Sequence, residues 1–278
     1  MNKELRVIVI GAHPDEPDIY AGGTAALFAE MGHRVKFLSL TNGCCGHYAI
    51  SGMELVERRR NEAVKAAQQL GIDEYEVLDT PDGELLPTIP VRNEVIRQIR
   101  AWKADVVITF HPEGGKHADN RYAGKVVSDA ASFIVKTPNA IPEVPMLNQS
   151  PVVLLMPDYS MKDRYKADIV IDITAVMEKK LLACDAHASQ FYEFAPWQSG
   201  LLNQVPESWE DKKLYLLKYW AEFMVVSDEM KPALSRWYGK ERADSIQYAE
   251  PFEIAHYGRR PNDDEMRSLF PMFPSIES

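Results

Sequence analysis

The chain has 278 residues, 46% of them hydrophobic, which is enough for one large domain with a buried core. Its formal net charge of -10 argues against nucleic acids and anionic membrane surfaces as partners. The three cysteines, two of them adjacent, do not indicate a disulfide framework, and no apolar run approaches the ~20 residues of a membrane span. We therefore expect a cytoplasmic protein that acts on a small neutral or polar molecule.

The first strand-like run, residues 7–10, leads directly into one imidazole and three carboxylates: His13, Asp15, Glu16 and Asp18. The run is β-branched throughout, which is typical of a strand buried on both faces of a parallel sheet. Ligands bind in open α/β sheets outside the carboxyl ends of such strands. Carboxylate oxygen and imidazole nitrogen together suit zinc or another divalent first-row metal. The alternative is an ordinary βα turn in which the aspartates merely cap the next helix.

The next elements continue the alternating β and α pattern. Glycines at positions 22 and 23 predict a loop before a helix over residues 25–31, and residues 35–40 predict a second buried strand. His47 follows that strand, either in a second functional loop or as a surface histidine. An amphipathic helix is predicted over residues 53–70. Its arginines at positions 58–60 are expected to form a solvated face, with Arg59 or Arg60 in the cleft as the alternative.

A second chemical centre is predicted after the fourth strand. Residues 75–78 and 106–110 read as strands, and residues 91–102 as a helix between them. The loop "HPEGGKHADNR", residues 111–121, carries two histidines, two acids and an amide, and precedes a helix over residues 122–134. By the strand-end rule, this loop is expected to face the first cluster across one crevice. The alternative is a glycine-containing surface loop with incidental histidines.

In the rest of the chain, residues 137–151 are rich in proline and are expected to form a long irregular loop able to cover a cleft. Strands are predicted over residues 152–156 and 169–173. Thr174 is expected to cap a helix that runs to about residue 188, where His187 is either a site residue or a helix C-terminal imidazole. Aromatic residues in helices over 209–226 and 231–238 are expected to serve packing. The tail after residue 248 is expected to be a docking arm.

These blocks together resemble one family. The segment "GAHPDEPDIYAGGT" resembles the AHPDD signature of the LmbE-like or PIG-L deacetylases, zinc-dependent enzymes that remove N-acetyl groups from glucosamine-containing molecules. "TNGCCGHY", "LDTPDGELLPT", "HADNRYAG", "TPNAIPEVP" and "AHASQFYEFAPW" are similar to further blocks of a bacterial subgroup, so the likeness covers roughly residues 6–197. It implies an α/β fold, a Rossmann-like, mostly parallel sheet with helices on both faces, over residues 1–200. A helical C-terminal extension, residues 201–278, is expected to pack on the same domain.

The resemblance also implies roles for individual residues. His13 matches a zinc ligand, and Asp15 matches the general base that activates the metal-bound water. Glu16 falls where the family has a second ligand, normally Asp. His117 matches the histidine that acts as an acid or electrostatic helper. Asn120 takes the position of the remaining ligand, normally His.

The departures from the family pattern lower the expected metal affinity, because an amide oxygen is a poorer zinc ligand than an imidazole nitrogen. His111 or Glu113, in the same loop, is an alternative ligand. Lys116 stands where the subgroup usually has Tyr to hold the oxyanion. Lys116, His187 and His47 are the expected substrate-binding residues.

The resemblance thus implies a metal-dependent hydrolase that removes an N-acetyl group from an amino-sugar substrate. One alternative is a catalytically impaired homologue that binds a carbohydrate or metabolite through a degenerate metal site. A nucleotide-binding Rossmann module is a weaker alternative, since the first βα turn lacks a G-x-G-x-x-G fingerprint. The aromatic C-terminal helices are compatible with a homo-oligomer.

Overall fold

The computed structural model describes residues 3–157 and 165–274. Seven strands occur in these residues: β1 (Arg6–Gly11), β2 (Arg34–Thr41), β3 (Glu74–Thr80), β4 (Val106–Thr109), β5 (Val152–Leu155), β6 (Ile169–Asp172) and β7 (Ala249–Ile254). They form one sheet in the order β3-β2-β1-β4-β5-β7-β6. The first five strands in this order, from β3 across to β5, pair with their neighbours in parallel. Strand β7 pairs antiparallel with both β5 and β6. The predicted mostly parallel α/β fold is confirmed.

Helices surround this sheet. Over the described residues they are α1 (Glu16–Glu30), α2 (Gly52–Leu70), α3 (Ile89–Trp102), α4 (Ala118–Ala130), α5 (Phe133–Lys136), α6 (Met177–Ala186), α7 (Ala195–Gln198), α8 (Trp209–Tyr219), α9 (Lys231–Tyr238), α10 (Lys240–Ala243) and α11 (Asp263–Leu269). A π-helical turn, Ser189–Phe194, connects α6 to α7. None of these described helices is long and apolar enough to cross a membrane.

The sheet places two loops at one crevice. Strand β1 lies between β2 and β4, so the chain leaves β1 toward one side of the sheet and enters β4 on the other. Residues 7–10 of β1 and all of β4 are fully buried, as a β-branched run covered on both faces requires. The point where the strand order reverses is where open α/β sheets bind ligands. The loops after β1 and β4 both begin there.

The start of α1 differs from the prediction. The helix begins at Glu16, nine residues before the predicted start, so Gly22 and Gly23 lie inside it. A Cβ on Gly23 would lie 2.6 Å from Cγ2 of Ile173, and the amides of Gly23 and Thr24 donate to the Glu250 carboxylate. The glycine therefore serves close packing, whereas the sequence reasoning took it as a turn signal.

The C-terminal tail is also different from the prediction. Residues 249–254 were expected to belong to a docking arm, yet they form β7 in the interior of the sheet. Pro251 and Glu250 disfavour a central strand in sequence terms. The Glu250 carboxylate is nevertheless fully buried, because Nζ of Lys180 lies 2.6 Å from it. The part of the chain after residue 200 thus adds a strand as well as helices, and a domain boundary at residue 200 stays a prediction.

Candidate active site

The loop between β1 and α1 is held in a strained conformation. Asp15 precedes the first helical residue with φ 116° and ψ -33°, a region that residues other than glycine rarely adopt. The hydroxyl of Tyr75, on β3, accepts a hydrogen bond from the Asp15 amide at 2.9 Å. Such strain persists where the surroundings fix it and is concentrated at functional sites. The strain at Asp15 agrees with the functional role predicted for it, which stays a prediction.

His13 lies at the centre of a ring of carboxylates. Its Nδ1 is 3.0 Å from Oε1 of Glu16, whose Oε2 accepts hydrogen bonds from the amides of Ala12 and His13. Its Nε2 is 3.0 Å from Oδ1 of Asp82 and 3.3 Å from Oδ2 of Asp119. Asp82 follows β3 and Asp119 lies in the first turn of α4, so three different strand ends supply this cluster.

The cluster shifts the protonation of its members. Burial lowers the pKa of His13, but the charge of Glu16 and the neighbouring carboxylates of Asp119 and Asp82 raise it by more, to well above its usual range. Burial raises the pKa values of Asp82 and Asp119, but His13 lowers both by more, so they lie below the ordinary range. The cluster thus stabilises positive charge at Nε2 of His13.

His117 caps the N-terminus of α4. Its Nδ1 accepts a hydrogen bond from the Asp119 amide, so the neutral ring carries its proton on Nε2. The rings of His117 and His13 meet edge to face with centroids 4.7 Å apart. The loops after β1 and β4 therefore converge, and His117 presents an N–H donor beside His13.

Asp15 faces a buried arginine. Oδ1 of Asp15 lies 3.3 Å from Nη2 of Arg59, whose side chain is 2% exposed. Burial raises the pKa of Asp15 from 3.8 to about 6, against the opposing effect of Arg59. The solvated position expected for Arg59 was wrong: Arg59 fills the space beside Gly43 and donates to the carbonyls of Gly43 and Pro14. Arg60, next in sequence, pairs with exposed Asp79.

These groups open into a cleft with a volume of about 260 Å³. Four aromatic residues line it together with the polar cluster: Tyr20, Phe194, Trp220 and Phe223. Trp220 and Phe223 pack against the hydrophobic core, as predicted for the C-terminal aromatics, and they also line this cleft. Residues 137–151, the predicted cover, are not part of this lining. Several of their carbonyls instead accept hydrogen bonds from buried Arg100.

The loop after β4 is only partly brought to the cleft. Oδ1 of Asn120 is buried, has no hydrogen-bond partner within the described parts of the chain, and does not belong to the cleft lining. Lys116 and Glu113 are exposed. Nδ1 of His111 accepts a hydrogen bond from the Glu113 amide, so this histidine helps to close a local turn.

His187 and His47 lie behind the cleft lining. His187 is fully buried, with Nε2 3.0 Å from Oδ2 of Asp18. Asp18 raises the pKa of His187 by more than burial lowers it. His47 lies 2.8 Å from Oε2 of Glu193 and stacks on Tyr48. Neither histidine belongs to the cleft lining, so a role of either in substrate binding stays a prediction.

Asp82 and Asp119 were not singled out by sequence reasoning. Asp82 lies in the turn-rich "DTPDGE" segment, where an aspartate beside glycine is a common turn residue. The available signal was its position just after a predicted strand. Asp119 was hidden between two residues that match the family motif.

The donors present fit a divalent metal. The side chains of His13, His117 and Asp119 bring nitrogen and carboxylate oxygen atoms within 4.8 Å of one another, and Nδ1 of His117 already accepts from the Asp119 amide. Nε2 of His13 is buried and makes no hydrogen bond within the described segments, although two carboxylate oxygens lie beside it. A buried polar atom without a partner is costly, and a cation at this position removes the cost. Nitrogen and oxygen donors together suit zinc and its first-row neighbours.

Comparisons with known proteins agree with this geometry. Residues 8–131 match the family model PIG-L, described as GlcNAc-PI de-N-acetylase. The chain is 34% identical over 203 residues to the diacetylchitobiose deacetylase of Thermococcus kodakarensis, covering 69% of this chain and 72% of that protein.

Two solved structures share the fold. The N,N'-diacetylchitobiose deacetylase of Pyrococcus horikoshii aligns with a TM-score of 0.66 and 24% identity, over 90% of this chain and 83% of that one. The 4-carboxy-2-hydroxymuconate hydratase of Pseudomonas putida aligns with a TM-score of 0.67 and 20% identity, over 93% and 99%. The same fold thus carries more than one reaction, and the fold alone does not select between them.

Proposed function

Because the chain belongs to the PIG-L, LmbE-like family of N-acetylglucosaminyl deacetylases, we propose that it is a metal-dependent amide hydrolase. Its substrate is a small molecule that contains an N-acetylated amino sugar. The observation that carries this proposal is the strained, partly buried Asp15 beside His13, at the crevice where the loops after β1 and β4 meet. The 34% identity to a diacetylchitobiose deacetylase supports the substrate class.

The cofactor proposed is zinc or another divalent first-row metal. His13 is the ligand that both the family pattern and the unpartnered Nε2 support. When bound, such a cation polarises an acyl oxygen and lowers the pKa of water from ~15.7 toward ~7.

Asp15 serves as the general base. Its carboxylate takes a proton from the attacking water, whose oxygen bonds to the acyl carbon. A base is most effective when its pKa is near the working pH, and burial raises the pKa of Asp15 to about 6. Arg59, 3.3 Å from Oδ1, fixes the orientation of this carboxylate. The strained backbone removes the alternative positions that a flexible loop would allow.

His117 serves as the donor. The N–H at its Nε2 points away from the Asp119 amide that donates to Nδ1, and it is available to hydrogen-bond to the tetrahedral oxyanion. When the C–N bond breaks, Asp15 passes the proton that it took from the water to the nitrogen, which leaves as a free amine. The acyl group leaves as acetate. Lys116, exposed on the same loop, is a candidate for additional stabilisation of the oxyanion.

The cleft walls suit a sugar ring. Tyr20, Phe194, Trp220 and Phe223 provide apolar faces, while Asp82, Arg59 and Gln190 provide hydrogen-bonding groups on the same lining. A few polar groups within an aromatic wall is the usual composition of a small-molecule site. We infer that His47 and His187 support substrate binding indirectly, through the carboxylates that they contact. We also infer that the reaction takes place in the cytoplasm.

The experiment is acetate release from N,N'-diacetylchitobiose and N-acetylglucosamine by metal-loaded protein. Wild type should release acetate and Asp15→Asn should not, although Asp15→Asn should keep its metal. Asp79→Asn, at an exposed carboxylate, is the control and should keep full activity. If wild type binds metal and sugar but never releases acetate, the chain is a binding protein and the hydrolase proposal fails.

A further inference from the structure

The imidazole of His13 has its two nitrogens in different surroundings. Oε1 of Glu16 lies 3.0 Å from Nδ1, and Oε2 of the same carboxylate is occupied by two backbone N–H donors. A carboxylate in this position accepts, so the ring donates from Nδ1. This fixes the tautomer, and the lone pair of the neutral ring then lies on Nε2. Carboxylates that orient a ligating histidine in this way are a common feature of metal sites.

The other nitrogen faces two carboxylates. Oδ1 of Asp82 and Oδ2 of Asp119 lie 3.0 and 3.3 Å from Nε2, and neither makes a hydrogen bond of acceptable direction with it. A lone pair beside two anionic oxygens is repulsive unless positive charge lies between them. A ring proton does not point at either oxygen closely enough for a hydrogen bond. A cation shared by all three atoms accounts for both the short distances and the missing hydrogen bonds.

The two carboxylates are placed for this purpose by separate elements. Asp119 is fully buried in the first turn of α4, where its Oδ2 accepts from the Gly83 amide at 2.8 Å and its Oδ1 has no partner in the described segments. That amide follows Asp82 by one residue, so the same hydrogen bond ties the two carboxylates together. Asp82 lines the cleft, which gives a cation at this position access to substrate.

We propose that a divalent cation is held by Nε2 of His13 and the carboxylates of Asp82 and Asp119, with Glu16 orienting the ring and Asn120 outside the ligand set. The inference rests on the proposed metal-dependent function and specifies its site. It departs from the family pattern, in which the positions of Glu16 and Asn120 are ligands. One nitrogen and two carboxylate donors carry more negative charge than two imidazoles and one carboxylate, and they suit harder first-row cations better. The Glu16 carboxylate instead accepts hydrogen bonds from the Ala12 and His13 amides.

The test measures metal affinity rather than turnover. Metal-free protein is titrated with Co²⁺, followed by its visible absorption, and with Zn²⁺ in competition with a chromophoric chelator. Asp82→Asn and Asp119→Asn should each weaken binding roughly 100-fold or more, and Glu16→Gln roughly 10-fold. Asn120→Ala is the matched control from the same loop and should bind as wild type does. Thermal unfolding of the metal-free variants checks that each is folded. If Asp119→Asn does not fold, the affinity of Asp82→Asn alone decides the test.

The outcomes separate this inference from the proposed function. If Asn120→Ala loses the metal while Asp82→Asn and Asp119→Asn keep it, the carboxylate site is wrong. A wild type that binds neither Co²⁺ nor Zn²⁺ also overturns it. If the carboxylate variants lose metal as expected but wild type releases no acetate from acetylated sugars, the site stands and the hydrolase proposal fails.

Discussion

Replacing Lys180 by methionine is expected to destabilise the protein strongly. The Lys180 and Glu250 side chains are both fully buried, 2.6 Å apart, and connect α6 to β7. Lys180 also donates to the carbonyls of Ile19 and Phe223 at 2.7 and 3.1 Å. The substitution leaves one buried carboxylate without its counter-charge and two carbonyls without this donor.

The expected cost follows from this geometry. Removing one partner of a buried ion pair costs about 3–5 kcal/mol, because the remaining charge stays buried without compensation. For a chain of this size, that corresponds to a fall in melting temperature on the order of 10 °C. Glu250→Gln in the same background should recover part of the loss, since an amide carries no charge and its one oxygen still accepts from either the Gly23 or the Thr24 amide.

The assay is urea unfolding followed by far-UV circular dichroism, for wild type, both single variants and the double variant. Lys179→Met is the matched control, since Lys179 is partly exposed and its pair with Glu30 should contribute at most about 1 kcal/mol. Because Ile19 and Phe223 line the cleft, we also expect a higher KM for substrate in Lys180→Met. A loss below about 1 kcal/mol in Lys180→Met, equal to that of Lys179→Met, would refute the reasoning.

The other predictions concern the site and its supports. Asp15→Asn should lower kcat about 10²–10⁴-fold while bound metal, measured by elemental analysis, stays at the wild-type ratio; loss of the metal would contradict the role of base. Gly124→Ala should cost about 1–3 kcal/mol in urea unfolding and weaken Co²⁺ binding, because the added Cβ meets the backbone at Phe110 and displaces α4; unchanged values would show that α4 adjusts freely. Arg58 donates two hydrogen bonds to Glu193 and lowers the pKa of that carboxyl below 4.5, by more than burial raises it. The contribution of Glu193 to stability is therefore present above pH 4.5 and is lost as the pH falls through the lowered pKa. The difference in unfolding free energy between wild type and Glu193→Gln should therefore shrink in acid, and an equal difference at neutral and acidic pH would contradict this.

The sheet and the position of the crevice could be predicted because local pattern and burial agree there. The run over residues 7–10 of β1 is entirely apolar, the run over residues 106–110 has Thr109 as its single polar residue, and both are followed by residues with turn chemistry. Parallel neighbours end at the same edge, so the meeting of His13 and His117 follows from the order of the elements. Their roles still depend on the resemblance and stay predictions.

The features that were missed depend on contacts between distant residues. Glu250 is acceptable in a central strand because Lys180, 70 residues earlier, neutralises it. Arg59 looked like one of three solvated arginines, but its helix phase and the absence of a side chain at Gly43 let it enter the site. Asp82 reads as a turn residue until the fold brings it beside His13. Local sequence carries no direct sign of these partners.

Metal-loaded protein incubated with N,N'-diacetylchitobiose in heavy-oxygen water provides the most direct test of the central claim. If the chain hydrolyses the amide, mass spectrometry should find a free amino group on the sugar and one heavy oxygen in each released acetate. Absence of the free amine, or release of acetate without heavy oxygen, would contradict hydrolysis by water at the acyl carbon.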